Sequence, residues 1–575
     1  MARIRKVEIS NFRCIKFFTW LPSSGLNCLI GPGDSGKSTV LEAIDLCLGA
    51  RRTVPFNDAD FHDLSVGCPI SIILTIGELT DSLKSLDAYG LFLRGFDAET
   101  GMVVDEPGKD METVLSLALT VANDLEPVWM LMSDRGTADG TSRSLSWADR
   151  VRLSPTVIGS TAGHNLGWRR GSVLNRLTDE RVDASAALVA AARHARTTFG
   201  DDAEPELAAT LGIVKAAANE LGIDVGSKVR VLLDAHSLTF SGGSISLHNQ
   251  AGVPLHGLGI GSSRLLIAGL QRKAADQSSI LLVDELEHGL EPHRIIRFLG
   301  SIGAKEATLP LQAFMTTHSP VAVRELSGAQ LYVLRDDATE HSAKLVGSDD
   351  AIQGTIRAFP DAFLATSVLV CEGASEVGLI RGLDQYRAAL GTTSLYACGT
   401  ALVDCGGGSP DRPFDRDNAF QMLGYRVAIL RDDDVTPTPA KMSAFELSDG
   451  EIFSWRGGRA LEDELFASLT DSAIGKLINL AIELLDRDAV DQHIKSASDG
   501  STDLNTVETE NMFDPLSANT KRLLGKASRS KSNPWFKSVS RMERVAREIV
   551  APDLAAADPD FRSIIDAAFA WVCSV

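Results

Sequence analysis

Apolar and polar positions change period several times along the chain, and each change marks an expected element. Residues Arg3 to Ser10 predict an opening strand, and the apolar run LNCLI (Leu26 to Ile30) predicts a buried one. A glycine-rich loop comes next, and STVLEAIDLCL (Ser38 to Leu48) then repeats at helical spacing. From roughly Ile70 to Val157, β-like runs such as ISIILTI alternate with glycine- and aspartate-rich turns, which predicts an antiparallel layer over the first core. Between about Thr161 and Val225 the chain is alanine-rich with helical periodicity and a charged break at GDDAEPE, which predicts a helical hairpin suited to a dimer contact. Strand-like KVRVLLD and SLTFSGG follow. After about Gln353 a second α/β pattern begins, with the strand SVLVCEG, a helix from about Ser375, the strand-like SLYACGTALVDCGG and the strand YRVAIL. The last hundred residues predict mostly helix, with SDGSTDLN near Ser498 as a flexible connection.

The loop GPGDSGKS (Gly31 to Ser38) joins the buried strand to the helix and matches G-x-x-x-x-G-K-[ST]. Amides and a helix dipole at such a junction cradle phosphates, Lys37 reaches the outer phosphates and Ser38 holds Mg²⁺. Gly31, Asp34, Gly36, Lys37, Ser38 and Thr39 are therefore the candidate nucleotide-binding residues. A second apolar strand, in SSILLVDELEHGLEP, ends in Asp284 and Glu285, placed to coordinate Mg²⁺ and to polarise the attacking water. A third, LQAFMTTHSP, ends at His318, placed to sense the γ-phosphate.

Further on, VLVCEGASE puts Glu372 at a strand end and Glu376 one helical turn later. YRVAILRDDD places Asp432, Asp433 and Asp434 at another strand end, and alternation sends Asp432 and Asp434 to the same side. Clustered carboxylates repel one another unless a hard divalent cation neutralises them.

Composition changes this picture in three places. The net charge of −20 argues against a nucleic-acid partner, but Lys521 to Glu548 carries nine basic residues against two acidic ones and is a candidate phosphate-binding surface. The eight cysteines are scattered singly, without metal-like spacing, and read as reduced, mainly buried thiols. No stretch approaches the roughly 20 apolar residues of a membrane span, so a cytoplasmic protein is expected.

The order of the three ATPase motifs and the opening NFRCIK resemble the ABC-type ATPases of the RecF and SMC group. HGLGIGSSR (His256 to Arg264) stands where that group has its signature loop, departing from LSGGQ, and FNDADFHD occupies the Q-loop region without the glutamine. Glu-Gly-x-x-Glu followed by Asp-x-Asp, with the glycine-rich VDCGGGSP between them, resembles the Toprim domain of topoisomerases, primases and OLD (overcoming lysogenization defect) nucleases. The order of ATPase, Toprim and helical tail resembles the OLD family, Gabija nucleases included. That resemblance implies an α/β chain: a RecF-like ATPase (1–160 and 226–350) with a helical dimerisation insertion (161–225), a Toprim domain (351–475) and a helical C-terminal segment (476–575). It adds the acidic run Glu462, Asp463 and Glu464, from FSWRGGRALEDEL, with Glu462 at the site, and Lys537, from NPWFKS. Glu372, Asp432 and Asp434 would hold one Mg²⁺ or Mn²⁺ while Glu376 and Glu462 help hold a second. Lys537 would neutralise transition-state charge. The implied protein is an ATP-regulated DNA endonuclease of antiphage defence or DNA processing, a homodimer or homotetramer, with a UvrD-like helicase or other defence partner. The alternative is a DNA-binding ATPase switch or scaffold whose Toprim site is inactive.

Overall fold

A computed structural model describes residues 2–159, 165–166, 172–177, 185–220, 226–230, 247–252, 254–275, 279–309, 311–337 and 340–574. The chain folds into two compact units: Met1–Cys28, Gly36–Ala322 and Ala338–His341 form the first, and Leu29–Ser35, Val323–Asp337 and Ser342–Val575 the second.

In the first unit, strands β1 (Arg3–Phe12), β2 (Ile15–Trp20), β4 (Ile70–Gly77), β5 (Glu112–Val121) and β6 (Pro127–Met132) build the expected antiparallel layer. β1 lies between β2 and β4, and β5 pairs with both β4 and β6. β3 (Leu26–Ile30), whose first three residues fall in this unit, is wholly buried, and helix α1 (Lys37–Leu48) follows it in sequence. Two short parallel strands, β7 (Thr156–Ile158) and β9 (Gln312–Thr316), flank β8 (Ile280–Val283). Their apolar runs have buried both faces, as parallel strands covered by helices require.

The expected helical hairpin is replaced by one helix, α2 (Ser185–Glu220), which runs through GDDAEPE with Pro205 inside it. Asp201 and Glu206 are compatible with a solvated helix face, and Pro205 removes one backbone donor without ending the helix here. Residues 231–246, which carry most of KVRVLLD and SLTFSGG, lie outside the described residues. Among the described residues no helix is long and apolar enough to cross a membrane.

The second unit holds a parallel four-stranded sheet of β10 (Ser367–Cys371), β11 (Thr400–Asp404), β12 (Arg426–Arg431) and β13 (Glu451–Ser454), in the order β11-β10-β12-β13. Residues Ser394–Gly399, expected to be strand-like, form turns instead. Helices α3 (Ala374–Ala389) and α4 (Arg412–Met422) make the crossovers, and β10 leads to one side of the sheet while β12 leads to the other. The carboxyl ends of β10 and β12 thus face the topological switch point, where open α/β sheets leave a crevice for ligands.

Helices α5 (Leu461–Ser468), α6 (Ala518–Ser528), α7 (Val539–Val545) and α8 (Pro559–Cys573) belong to the same unit. They share one apolar core with the sheet, which includes Leu369, Leu430, Trp455, Leu461, Phe466, Trp535 and Phe561. The SDGSTDLN segment is a tied turn: the Ser498 hydroxyl donates to the carbonyls of Lys495 and Thr502, and the Thr502 amide donates back to it. Polar residues that read as a loose link are here satisfying one another.

Two glycines one turn apart bring α3 against α7. A Cβ on Gly378 would stand 2.6 Å from the Val539 carbonyl oxygen, and one on Gly382 would stand 2.3 Å from that of Glu543. Because those obstacles are backbone, Gly382→Ala is expected to destabilise the protein by about 1–3 kcal/mol through overpacking. A lowered denaturation midpoint in urea, with slope unchanged, checks this.

Asp417 on α4 is buried with one carboxylate oxygen unpartnered, and burial alone pushes its carboxyl up to about 8. A carboxyl whose folded value is raised binds its proton more tightly in the folded state, so its ionisation erodes stability as pH rises from about 4 toward 8. Asp417→Asn is therefore expected to gain stability over wild type between pH 6 and 8.5. Urea melts at both pH values measure it, and a difference independent of pH would refute it.

Candidate functional site

The phosphate-type loop is shaped by backbone that ordinary residues avoid. Gly31 has φ 134° and Gly36 φ 88°, and a Cβ on Gly36 would press on the Cys14 sulfur at 3.1 Å. Between them Asp34 is left-handed at φ 57°, and the Ser35 hydroxyl donates to the Pro32 carbonyl at 3.0 Å. Lys37 and Ser38 open α1, so amides at this helix start face the loop. Lys37 is buried, Ser38 is exposed, and Thr39 contacts the Cys14 sulfur.

The ends of β8 and β9 meet the same helix start. Asp284 accepts hydrogen bonds from the Ser38 hydroxyl at 2.9 Å and from the Thr316 hydroxyl at 2.6 Å. The two groups expected to share Mg²⁺ are therefore in direct contact. Glu285 adopts φ 45°, and its amide donates to the Thr316 hydroxyl at 2.8 Å, which leaves its carboxylate exposed. Strained backbone at an exposed acid is the pattern of a functional position. His318 is also exposed, and its backbone is held by Glu287, which accepts from the His318 amide at 2.8 Å and the Thr317 hydroxyl at 2.6 Å.

Glu287 and Arg264 were not singled out by the sequence. Buried Arg264, in the segment compared with the signature loop, donates to the carbonyls of Asp284 and His288 at 2.9 and 3.2 Å. It braces the acidic strand end from within its own unit. The spacing E-L-E in DELEHGLEP was the available signal for Glu287.

The second unit collects acids at the switch point of its sheet. Glu372 follows β10, and its carboxylate accepts from the Asp432 amide at 3.0 Å. Asp432 in turn accepts from the Leu461 amide at 2.9 Å. Buried Glu376 folds back onto the Gly373 amide at 2.9 Å, and buried Glu462 accepts from the Ser375 hydroxyl at 3.3 Å. Burial, followed by repulsion from Glu372 and Glu462, pushes Asp432 up to about 8. Burial and then the charges of Asp432 and Glu462 push Glu376 well above the usual carboxylate range. Burial also raises Glu372 and Glu462, with Lys537 pulling against it in both.

Lys537 is delivered by the helical segment. Trp535 and Phe536 beside it are fully buried, and the Trp535 indole donates to His493 at 3.1 Å, so the exposed lysine is held next to the acids. Asp434 is exposed and paired with Arg529 at 3.1 Å. Asp433 is turned aside by the Gly458 amide, and Glu464 is locked by Arg456 and Arg459 at 2.6 and 3.0 Å. The sequence offered Asp463 only as part of the acidic run with Glu462 and Arg529 only as one of the basic residues of Lys521 to Glu548, and it did not single out Arg431.

Among the described residues no three acidic, histidine or cysteine side chains form a ready cage for a cation. Each carboxylate is instead satisfied by a backbone amide, a hydroxyl or an arginine. The donor set nevertheless fits a hard divalent ion, being oxygen only and crowded enough for burial and repulsion to raise its proton affinity.

The basic stretch is less free than its net charge suggested. Lys521 pairs with Asp471, Arg529 with Asp434 and Asp463, Arg544 with Glu483 and Glu548, and Arg547 with Glu548. Asp471, Asp434, Asp463 and Glu483, all remote in sequence, neutralise Lys521, Arg529 and Arg544, while Glu548 within the stretch answers Arg544 and Arg547. The thiols also differ from expectation: Cys28, Cys47, Cys371 and Cys405 are buried, whereas Cys14, Cys68 and Cys573 are exposed and Cys398 is half-buried.

The loop at a helix start, the paired Ser38 and Asp284, and the exposed Glu285 define an ATP-binding ATPase domain. Over residues 26–324, more than half its length, the chain matches the family described as "AAA domain, putative AbiEii toxin, Type IV TA system", and it belongs to that family. It is 32% identical over 65 residues to the DNA replication and repair protein RecF of Chlorobium phaeovibrioides, which is 11% of this chain and 18% of that protein. It is 41% identical over 46 residues to an OLD nuclease of Thermus scotoductus, 8% of either chain. The matches thus span less than a third of these relatives. Among solved structures, an SMC head bound to the C-winged helix domain of ScpA aligns over 59% of this chain and 96% of its own, at 14% identity and TM-score 0.35. The SMC head domain from Thermotoga maritima aligns over 60% of this chain and 99% of its own, at 12% identity and TM-score 0.28.

Proposed function

We propose that this protein is an ATP-regulated, divalent-metal-dependent DNA endonuclease with a Toprim-like centre in its second unit, acting in antiphage defence or DNA processing. The observation that carries the reading is the gathering of Glu372, Glu376, Asp432 and Glu462 beside Lys537 at the switch point of a parallel sheet. Glu372, Asp432 and Asp434 would hold one Mg²⁺ or Mn²⁺, and Glu376 with Glu462 a second. The ions supply Lewis acidity and a water of lowered pKa when bound. Lys537 offers its ammonium to a phosphodiester oxygen, and the amides behind Glu372 and Asp432 hold those carboxylates in place.

The ATPase domain supports regulation by nucleotide: Lys37 and the loop amides would bind phosphates, Ser38 and Asp284, in contact with each other, would hold the accompanying Mg²⁺, and Glu285 would orient water. The exposed apolar residues Phe199, Leu207, Ile213 and Val214 on α2 support the reading of a homodimer or homotetramer. The likeness to RecF and OLD proteins supports a DNA substrate, and the OLD-type order of domains a UvrD-like helicase or similar partner.

The test is cleavage of supercoiled, nicked and single-stranded DNA by the purified protein with Mg²⁺ or Mn²⁺, with and without ATP, against an EDTA control. Metal-dependent nicking or linearisation is expected. ATP binding with DNA retention but no cleavage under any metal would instead support the second reading, an ATPase switch or scaffold, which the absence of a preformed cage among the described residues favours.

A further inference from the structure

Arg529 stands at the C-terminal end of α6 and reaches two acids at once: Asp434 at 3.1 Å, from the acidic strand end, and Asp463 at 2.6 Å, from the first turn of α5. Its position is built rather than incidental. α6 packs against α5 so closely that a Cβ on Gly525 would stand 2.5 Å from the Asp463 carboxylate. The following chain is tied back by the Trp535 amide, which donates to the Ser528 carbonyl. The guanidinium is therefore delivered to the rim of the acidic centre by packing. It takes up the one predicted ligand, Asp434, that no backbone amide or hydroxyl satisfies in the contacts above.

We propose that Arg529 is the resident counter-cation of the acidic centre and competes with a divalent ion for Asp434. This rests on the reading of that centre as a metal site. Arg529 bridges Asp434 to Asp463, while the charge of Asp434 also acts on Glu372 and Asp432. An ion that recruits Asp434 must displace the guanidinium, which keeps Asp463 as its anchor and turns its freed donors toward the phosphodiester backbone of the substrate. The arginine thus keeps the empty centre from bearing its full negative charge and raises the metal concentration at which the centre fills.

The experiment is Mn²⁺ binding to the nucleotide-free, full-length protein, followed by electron paramagnetic resonance and calorimetry, for wild type, Arg529→Gln, Arg529→Lys and Glu372→Gln. Because the Arg529 pairs are half-exposed, removing them is expected to tighten Mn²⁺ binding only about three- to tenfold. Arg529→Lys should fall between the two, and melting curves in EDTA establish that each variant is folded. Unchanged or weaker Mn²⁺ binding by folded Arg529→Gln, with binding still lost in Glu372→Gln, overturns the competition while leaving the metal site standing. Mn²⁺ binding of unchanged stoichiometry and affinity in Glu372→Gln removes the metal-site reading, and the competition with it.

Discussion

Glu372→Ala is expected to abolish metal-dependent DNA cleavage while leaving ATP binding and DNA retention near wild type. Loss of a group that merely orients a ligand costs about 10- to 100-fold, so loss of a direct carboxylate donor should cost at least about two orders of magnitude. The prediction is specific because Glu372 is both donor and scaffold: its carboxylate accepts from the Asp432 amide at 3.0 Å. Glu372→Gln keeps a carbonyl oxygen for that amide, so its fold should be preserved while its charge is gone. Rate constants for plasmid nicking across a Mn²⁺ series measure the effect. Wild-type rates in both variants would move the chemistry out of the acidic centre altogether.

What could be read from the sequence follows the range over which each feature acts. LNCLI is a strand over Leu26–Ile30 and SVLVC over Ser367–Cys371 because a short, mainly apolar run bounded by turn residues is a local signal. The nucleotide loop is equally local, since its phosphate-facing amides come from consecutive residues. The pairing of Arg529 with Asp434 spans 95 residues and that of Arg456 with Asp558 spans 102, and no periodicity encodes either. The same limit made Lys521 to Glu548 look like an open basic surface, because the acids that answer it lie elsewhere in the chain. It also made GDDAEPE look like a break, although polar residues and one proline are tolerated inside exposed α2.

The acidic centre illustrates a further point about range. Residue types at two strand ends could be assigned to one cavity from alternation alone, but not the orientation of each carboxylate. Orientation depends on which amide or cation each one meets: Gly373 for Glu376, Leu461 for Asp432, Arg529 for Asp434. Charge crowding is therefore only partly relieved by these contacts, and burial with mutual repulsion still pushes Asp432 and Glu376 above the usual carboxylate range.

Lys37→Ala and Glu285→Gln should separate nucleotide binding from hydrolysis. Lys37 is a buried cation at the start of α1, and a charged hydrogen bond to phosphate contributes about 1.5–3 kcal/mol, so its loss should weaken ATP binding about 10- to 100-fold. Glu285 is exposed on strained backbone with its carboxylate 3.7 Å from His288, so Glu285→Gln should bind ATP as wild type does and hydrolyse it at least about 100-fold more slowly. Fluorescent-nucleotide titration and phosphate release measure the two steps independently. Combined with DNA cleavage, the pair also gives the sign of regulation. If ATP occupancy licenses cutting, Lys37→Ala loses cleavage and Glu285→Gln keeps it. If occupancy restrains cutting, Lys37→Ala cuts regardless of ATP and Glu285→Gln is held silent by it. Equal cleavage by both variants at every ATP concentration would mean that the two units work independently.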